Sequence, residues 1–218
     1  MEYPLTPFHR QIDDGHGAMV DAFKEAADRL KKIRQEGGKT LNDHIPINFL
    51  LRQAIELHLK SVIIILHRRL RIPYGNRSPD SEPMVQDKGR WVPMRKVHSV
   101  ALLFSDLKSL LQQKNSFLRD HTRTDWTLPS NVDSWIATIE QYDPSSTFLR
   151  YPMTQDKKRD QEKSSFKEVS AAGTGFDSLL MFSLDDSPAK PLGDALSSLA
   201  DLLEGLHFGL RVEICDGA

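Results

Sequence analysis

Apolar residues recur at three- and four-residue steps through most of this chain. From about Gly17 to Gln35, Met19, Val20, Phe23, Ala26, Ala27, Leu30 and Ile33 make one apolar stripe, which predicts an amphipathic helix stopped by Gly37 and Gly38. From Ile47 to about Leu70 the chain carries no glycine or proline, and Leu50, Leu51, Ala54, Ile55, Leu57, Val62 and Ile65 form a wide apolar surface. That pattern predicts the central helix of a bundle. The β-branched run at 62–65 suits a strand, but the length of the segment and the helical spacing of its flanks outweigh it. A third stripe runs from about Val97 to Gln113 through Val100, Leu103, Phe104, Leu107, Leu110 and Leu111. A shorter fourth helix is expected from Pro129-Ser130-Asn131, with Ser130 or Asn131 as its cap, to Tyr142, where Asp143-Pro144 closes it. The last stripe, Leu192, Leu196, Leu199, Leu203, Leu206 and Leu210, predicts a fifth helix over Pro191–Val212.

Two stretches break this rhythm. Residues 72–94 are rich in proline, glycine and charge and are long for a loop, with a hairpin expected around Asp87-Lys88-Gly89 and Trp91-Val92 returning. Residues 152–190 read as an irregular insertion in which Phe166–Val169 and Leu179–Leu184 pair as strands. The expected architecture is therefore mainly α: one domain over residues 1–218, a four- to five-helix up-and-down bundle with short, mostly antiparallel connections and two long polar excursions.

Composition narrows the function classes. With 29 Lys and Arg against 30 Asp and Glu, the formal net charge of -1 argues against a wholly basic nucleic-acid binder, while a local basic patch remains compatible. Cys215 is the one cysteine, so an internal disulfide and a cysteine-rich zinc site are excluded by count, and a reduced cytoplasmic compartment is expected. The segment MEYPLTPFHRQIDDG has no secretory pattern, and the run Val62–Leu66 is far too short to span a bilayer.

The segment from Asp143 to Pro152, DPSSTFLRYP, carries the most chemistry. Arg150 stands between two apolar anchors, Phe148 and Tyr151, where a guanidinium suits either a phosphate or a local carboxylate and helix-end carbonyls. Arg119-Asp120-His121-Thr122-Arg123 forms a compact charged loop, with Arg119 and Arg123 as candidate phosphate contacts. His44, His67 and His207 have no partner at metal-ligand spacing, so neither a metal nor a cofactor is expected. Gly173-Thr-Gly175 reads as a turn and not as a phosphate loop.

The order of a helix reading Leu51-Arg-Gln-Ala-Ile-Glu-Leu-His-Leu-Lys60, a helix opening on His98, the Asp143–Pro152 segment, a lysine-bearing loop and a last helix with Leu199-Ala-Asp-Leu-Leu-Glu-Gly-Leu206 resembles uncharacterised bacterial members of the HEPN superfamily, over roughly residues 19–210. The resemblance implies a helical bundle that often dimerises, encoded in antiphage or toxin–antitoxin systems. It also implies, in active members, a metal-independent ribonuclease site made of an arginine and a histidine four to six residues apart. In such a site the histidine moves the proton of the ribose 2′-hydroxyl or of the leaving oxygen, and the arginine holds phosphate charge.

Arg52 and His58 match that spacing, but six steps along a helix leave them about 120° apart. Arg52, Glu56 and Lys60 read more simply as a salt-bridge ladder on one face. His98, beside Arg95 and Lys96, is the other candidate, pairing across the core with Arg150 or making a local polar contact. Two functions follow. One is a non-catalytic module, a homodimer by resemblance, that binds a partner protein of a defence system or an RNA. The other is an endoribonuclease built from Arg150, His98, Arg52 and His58, with Tyr151, Arg119 and Arg123 touching substrate and the site assembled across a dimer.

Overall fold

The computed structural model describes residues 6–38, 40–169, 181–185 and 187–215. It is mainly helical, with α1 at His16–Gln35, α2 at His44–Arg69, α3 at Val100–His121, α4 at Val132–Tyr142, a short α5 at Lys157–Lys163 and α6 at Lys190–Gly209. A π-helical turn, Leu210–Ile214, continues α6. Two antiparallel hairpins interrupt the helices: β1 (Met84–Asp87) with β2 (Arg90–Pro93), and β3 (Phe166–Val169) with β4 (Met181–Leu184). Leu179 and Leu180, expected in the last strand, and the turn proposed at Gly173-Thr-Gly175 lie outside the described residues.

α2 is the axis of the fold. Its β-branched run is helical, and Val62, Ile63, Ile64, Ile65 and Leu66 are all fully buried. A helix enclosed on every side gains from an apolar circumference, and this overrides the strand propensity of the individual residues. α3 continues eight residues beyond the expected Gln113, because buried Leu118 carries the stripe of Leu107 and Leu111 past the polar Gln112–Ser116 stretch. Its cap is Ser99, whose Oγ accepts from the Leu102 N–H, so His98 lies just before the helix. Asn131 precedes α4 without a side-chain cap; its backbone oxygen instead accepts from the N–H groups of Ser134 and Trp135.

The helices are not simply up and down. Asp13 meets Ser61 and Arg34 meets Asp43, so α1 runs against α2. α6 runs with α2: Gly193 lies over Asn48 near one end, and His207 stands beside His58 further along. α4 runs against both α3 and α6, since Glu140 caps the start of α3, Lys108 pairs with Asp133, and the Tyr142 hydroxyl reaches Pro188. Thus α2, α3 and α6 share one direction. Consecutive α2 and α3 are parallel, so the chain must travel back along the bundle between them. This explains the length of the 72–94 excursion, which the expectation of short antiparallel connections did not account for.

The returning segment is packed rather than loose. Tyr74 is buried and stacks on His67 with ring centroids 3.9 Å apart, and Trp91 meets both edge-on. Gly75, at φ +60°, passes so close to Trp91 that a Cβ would fall 2.5 Å from its Nε1. Asp106 of α3 lies beneath this hairpin, with burial pushing its carboxyl up to about 6 against a backbone hydrogen bond from Gln86. One of its oxygens, Oδ2, has no hydrogen-bond partner. A carboxyl raised in the fold destabilises above its folded pKa and costs nothing below its unfolded value. Asp106→Asn is therefore expected to stabilise the protein by about 1–3 kcal/mol at pH 7.5 and by little near pH 4, as read from urea midpoints. An equal gain at both pH values would contradict a raised carboxyl.

Candidate functional site

The polar face of α2 is built at four-residue steps, so Arg52, Glu56 and Lys60 lie one above another. All three are buried, and the Arg52 side chain is only 1% accessible. The Glu56 carboxylate is the hub. It accepts from Lys60 Nζ at 2.7 Å and from His98 Nδ1 at 2.9 Å on one oxygen, and from Arg52 Nη1 at 3.4 Å on the other. Arg52 Nη2 donates to the backbone oxygen of His98 at 2.5 Å. Burial pushes the Glu56 carboxyl up, but Lys60, Arg52 and His98 together hold it below the usual range.

His98 is the exposed member of this cluster. Its side chain is 53% accessible, and with Nδ1 on Glu56 its Nε2 makes no hydrogen bond among the described residues. A carboxylate fixing one imidazole nitrogen while the other faces outward is an arrangement that proton transfer can use. The cation nearest in sequence logic, Arg52, is spent behind it on Glu56 and on the His98 backbone.

His58 points elsewhere, as the helical angle requires. It is buried 5.4 Å from the His207 ring, in a second polar cluster between α1, α2 and α6. There Asp13 accepts from Ser61 Oγ at 2.5 Å and from the Gly15 and Gly17 N–H groups, with His207 Nε2 at 3.9 Å. Burial opposes ionisation of Asp13, but these donors hold its carboxyl far below the usual range. Burial, with the neighbouring His207 and Lys24, pushes the His58 imidazole down to about 3. His58 is therefore a neutral core residue at ordinary pH.

The Asp143–Pro152 segment docks next to this region. Asp143 Oδ1 accepts from the N–H groups of Thr147 and Phe148, and Ser146 Oγ accepts from Gln53 of α2. Phe148 is a true anchor, buried under the Lys163 ammonium 4.4 Å from its ring centroid. Tyr151 is not an anchor, for its side chain is exposed while its carbonyl accepts from Lys163. Arg150 is exposed and makes no side-chain hydrogen bond or ion pair among the described residues, so no contact joins it to His98. Residues 119–121 are not a loop but the last turn of α3, where His121 stacks on Phe117. α3 has 22 residues, so about 30 Å of helix separates Arg119 and Arg123 from His98. They belong to no common site.

The structure thus joins Arg52 to His98 through Glu56 and leaves His58, Arg150, Tyr151, Arg119 and Arg123 apart. Sequence reasoning placed Glu56 and Lys60 in the ladder but not Asp13 or Ser61, which are separated by 48 residues and carry no shared motif. No family model matches this chain, and neither a curated protein nor a solved structure matches it significantly.

Two outcomes test these clusters. Glu56→Ala strands two buried cations and is expected to cost about 3–5 kcal/mol, measured by denaturant unfolding, whereas Arg95→Ala at an exposed pair changes little. For His58 the depressed folded pKa means that the unfolded chain takes up the proton first. Its contribution to stability is full above about 6.5 and is lost as pH falls towards 3. His58→Leu should therefore flatten the decline of stability between pH 6.5 and 4.5 relative to wild type. Parallel profiles would show that His58 is protonated in the fold.

Proposed function

We propose that this chain is a HEPN-like helical module of a prokaryotic defence or toxin–antitoxin system, binding a partner protein or RNA without cleaving RNA itself. The burial of Arg52 carries this reading. The arginine–histidine pair on α2 at the family's spacing, Arg52 and His58, is divided between two clusters, with Arg52 committed to Glu56 and His58 kept neutral beside His207. A group that binds phosphate in a transition state must reach the substrate, and neither does. No helix among the described residues is long and apolar enough to cross a membrane.

A specific observation favours the endoribonuclease reading as the second choice: His98, half-exposed and oriented by Glu56, is available as a general base. Incubation with tRNA and total RNA in chelator, beside Arg150→Ala and His98→Ala proteins, separates the two. The module reading expects intact RNA in every lane. Cleavage by wild type that disappears with His98→Ala would replace it with the enzyme.

A homodimer fits the outer face of α1. The stripe expected there divides in two: Gly17, Val20 and Ala27 are buried against the bundle, while Met19, Leu30 and Ile33 are exposed and Phe23 and Ala26 half-buried. Residues 19, 23, 26, 30 and 33 alternate steps of four and three, the spacing of a helix–helix seam with a small residue at its midpoint. In an antiparallel two-fold pairing centred near Ala26, Glu25 of one copy faces Arg29 of the other. Sedimentation should give a dimer that Leu30→Glu with Ile33→Glu converts to a folded monomer. A wild-type monomer at high concentration would remove this proposal.

A further inference from the structure

A cleft of about 510 Å³ opens at the C-terminal end of α1, between its last turns and the first turns of α2 and α6. Its size falls in the range of small-molecule sites. Lys31 and Arg34 reach it from α1, Lys190 from α6, and His44 and Asn48 from α2. Asp194 is the acid on its lining. Arg34 pairs with Asp43 at 3.2 Å and Lys31 with Asp28 at 3.6 Å, whereas Lys190 makes no ion pair among the described residues. α2 and α6 both begin here, so their N-terminal turns add partial positive charge.

Asn48 marks the cleft as more than a basic surface. It is only 3% exposed, yet its carboxamide makes no hydrogen bond among the described residues. An isosteric leucine would fill the same space in the helix with no polar group to satisfy. Gly193 keeps the amide uncovered, since a Cβ there would lie 3.3 Å from Asn48 Oδ1. His44 has no such freedom, because its Nε2 contacts the Lys163 carbonyl at 2.7 Å.

We infer that this cleft binds a small phosphate ester, its dianionic head held by Lys31, Arg34 and Lys190 and its polar body hydrogen-bonded by Asn48. The inference stands apart from the module reading, since it uses no residue of the Glu56 cluster. Three cations at one end suit a dianion better than a monocarboxylate, and the amide, a donor and an acceptor side by side, suits a hydroxyl- or amide-bearing body.

Titration calorimetry of the full chain at matched ionic strength tests it with three probes: inorganic phosphate, glycerol 3-phosphate and acetate. The ester is expected to bind about tenfold more tightly than inorganic phosphate, and acetate not at all. Lys190→Glu should weaken ester binding by about tenfold or more. Asn48→Leu should remove the preference for ester over free phosphate, while its unfolding midpoint without ligand equals or exceeds that of wild type. That midpoint shows the variant to be folded, and Gly193→Ala, which crowds the amide, provides a second route to the same loss. No binding of the ester above the acetate background, or ester binding unchanged by Lys190→Glu, would overturn the inference. Equal affinities for ester and free phosphate in wild type would overturn the role given to Asn48.

Discussion

Everything in this molecule is arranged around a carboxylate in the middle of a buried helix. Glu56 is enclosed, and an enclosed carboxylate is tolerable only when donors surround it. It obtains Lys60 and Arg52 from its own helix and His98 from the chain that precedes α3. The last of these fixes topology. Because Arg52 also holds the His98 carbonyl, α3 is made to start beside the third turn of α2, and the two helices run parallel. The long return through the Tyr74–Trp91 hairpin follows from that constraint, and so does the position of α4, whose Glu140 caps α3 at the same end.

The apolar face of α2 is then shared among α1, α3 and α6, while its polar residues lie in seams between them. Two such seams stand out among the described residues. The Glu56 seam reaches solvent through His98; the Asp13 seam does not open in the same way, because Ser61, His58 and His207 are all buried around it. The difference is chemical as well as spatial. One cluster balances charge around a carboxylate and presents an imidazole to solvent, whereas the other keeps a carboxylate ionised by His207 with hydroxyl and backbone donors and leaves a neutral His58 at its side.

Helices were legible in the sequence because their signal is local. The stripe in α6 and the length of α2 needed no knowledge of neighbours, and the hairpin at Asp87–Arg90 followed from turn chemistry. Direction was not legible, since nothing in residues 72–94 states which end of α2 the chain must return to. The division of the α1 stripe into a buried and an exposed seam was hidden for the same reason: Val20 and Met19 are equally apolar, and only tertiary packing tells them apart. At the site, the i,i+4 ladder Arg52–Glu56–Lys60 was readable from spacing. Its link to His98, across 42 residues, was foreseeable only as a pairing of some kind, and the partner expected for His98, Arg150, is not the one it meets.

The placement of α6 has a consequence for how the chain is made. α6 lies along α2 and closes the Asp13 cluster with His207, yet it is synthesised after all the other described α-helices. Until about residue 210 has left the ribosome, the nascent bundle has its axis helix uncovered on one side, with leucines and isoleucines, a carboxylate and an imidazole open to solvent or to a chaperone. A truncation that removes α6 therefore leaves a sticky intermediate in place of a smaller domain.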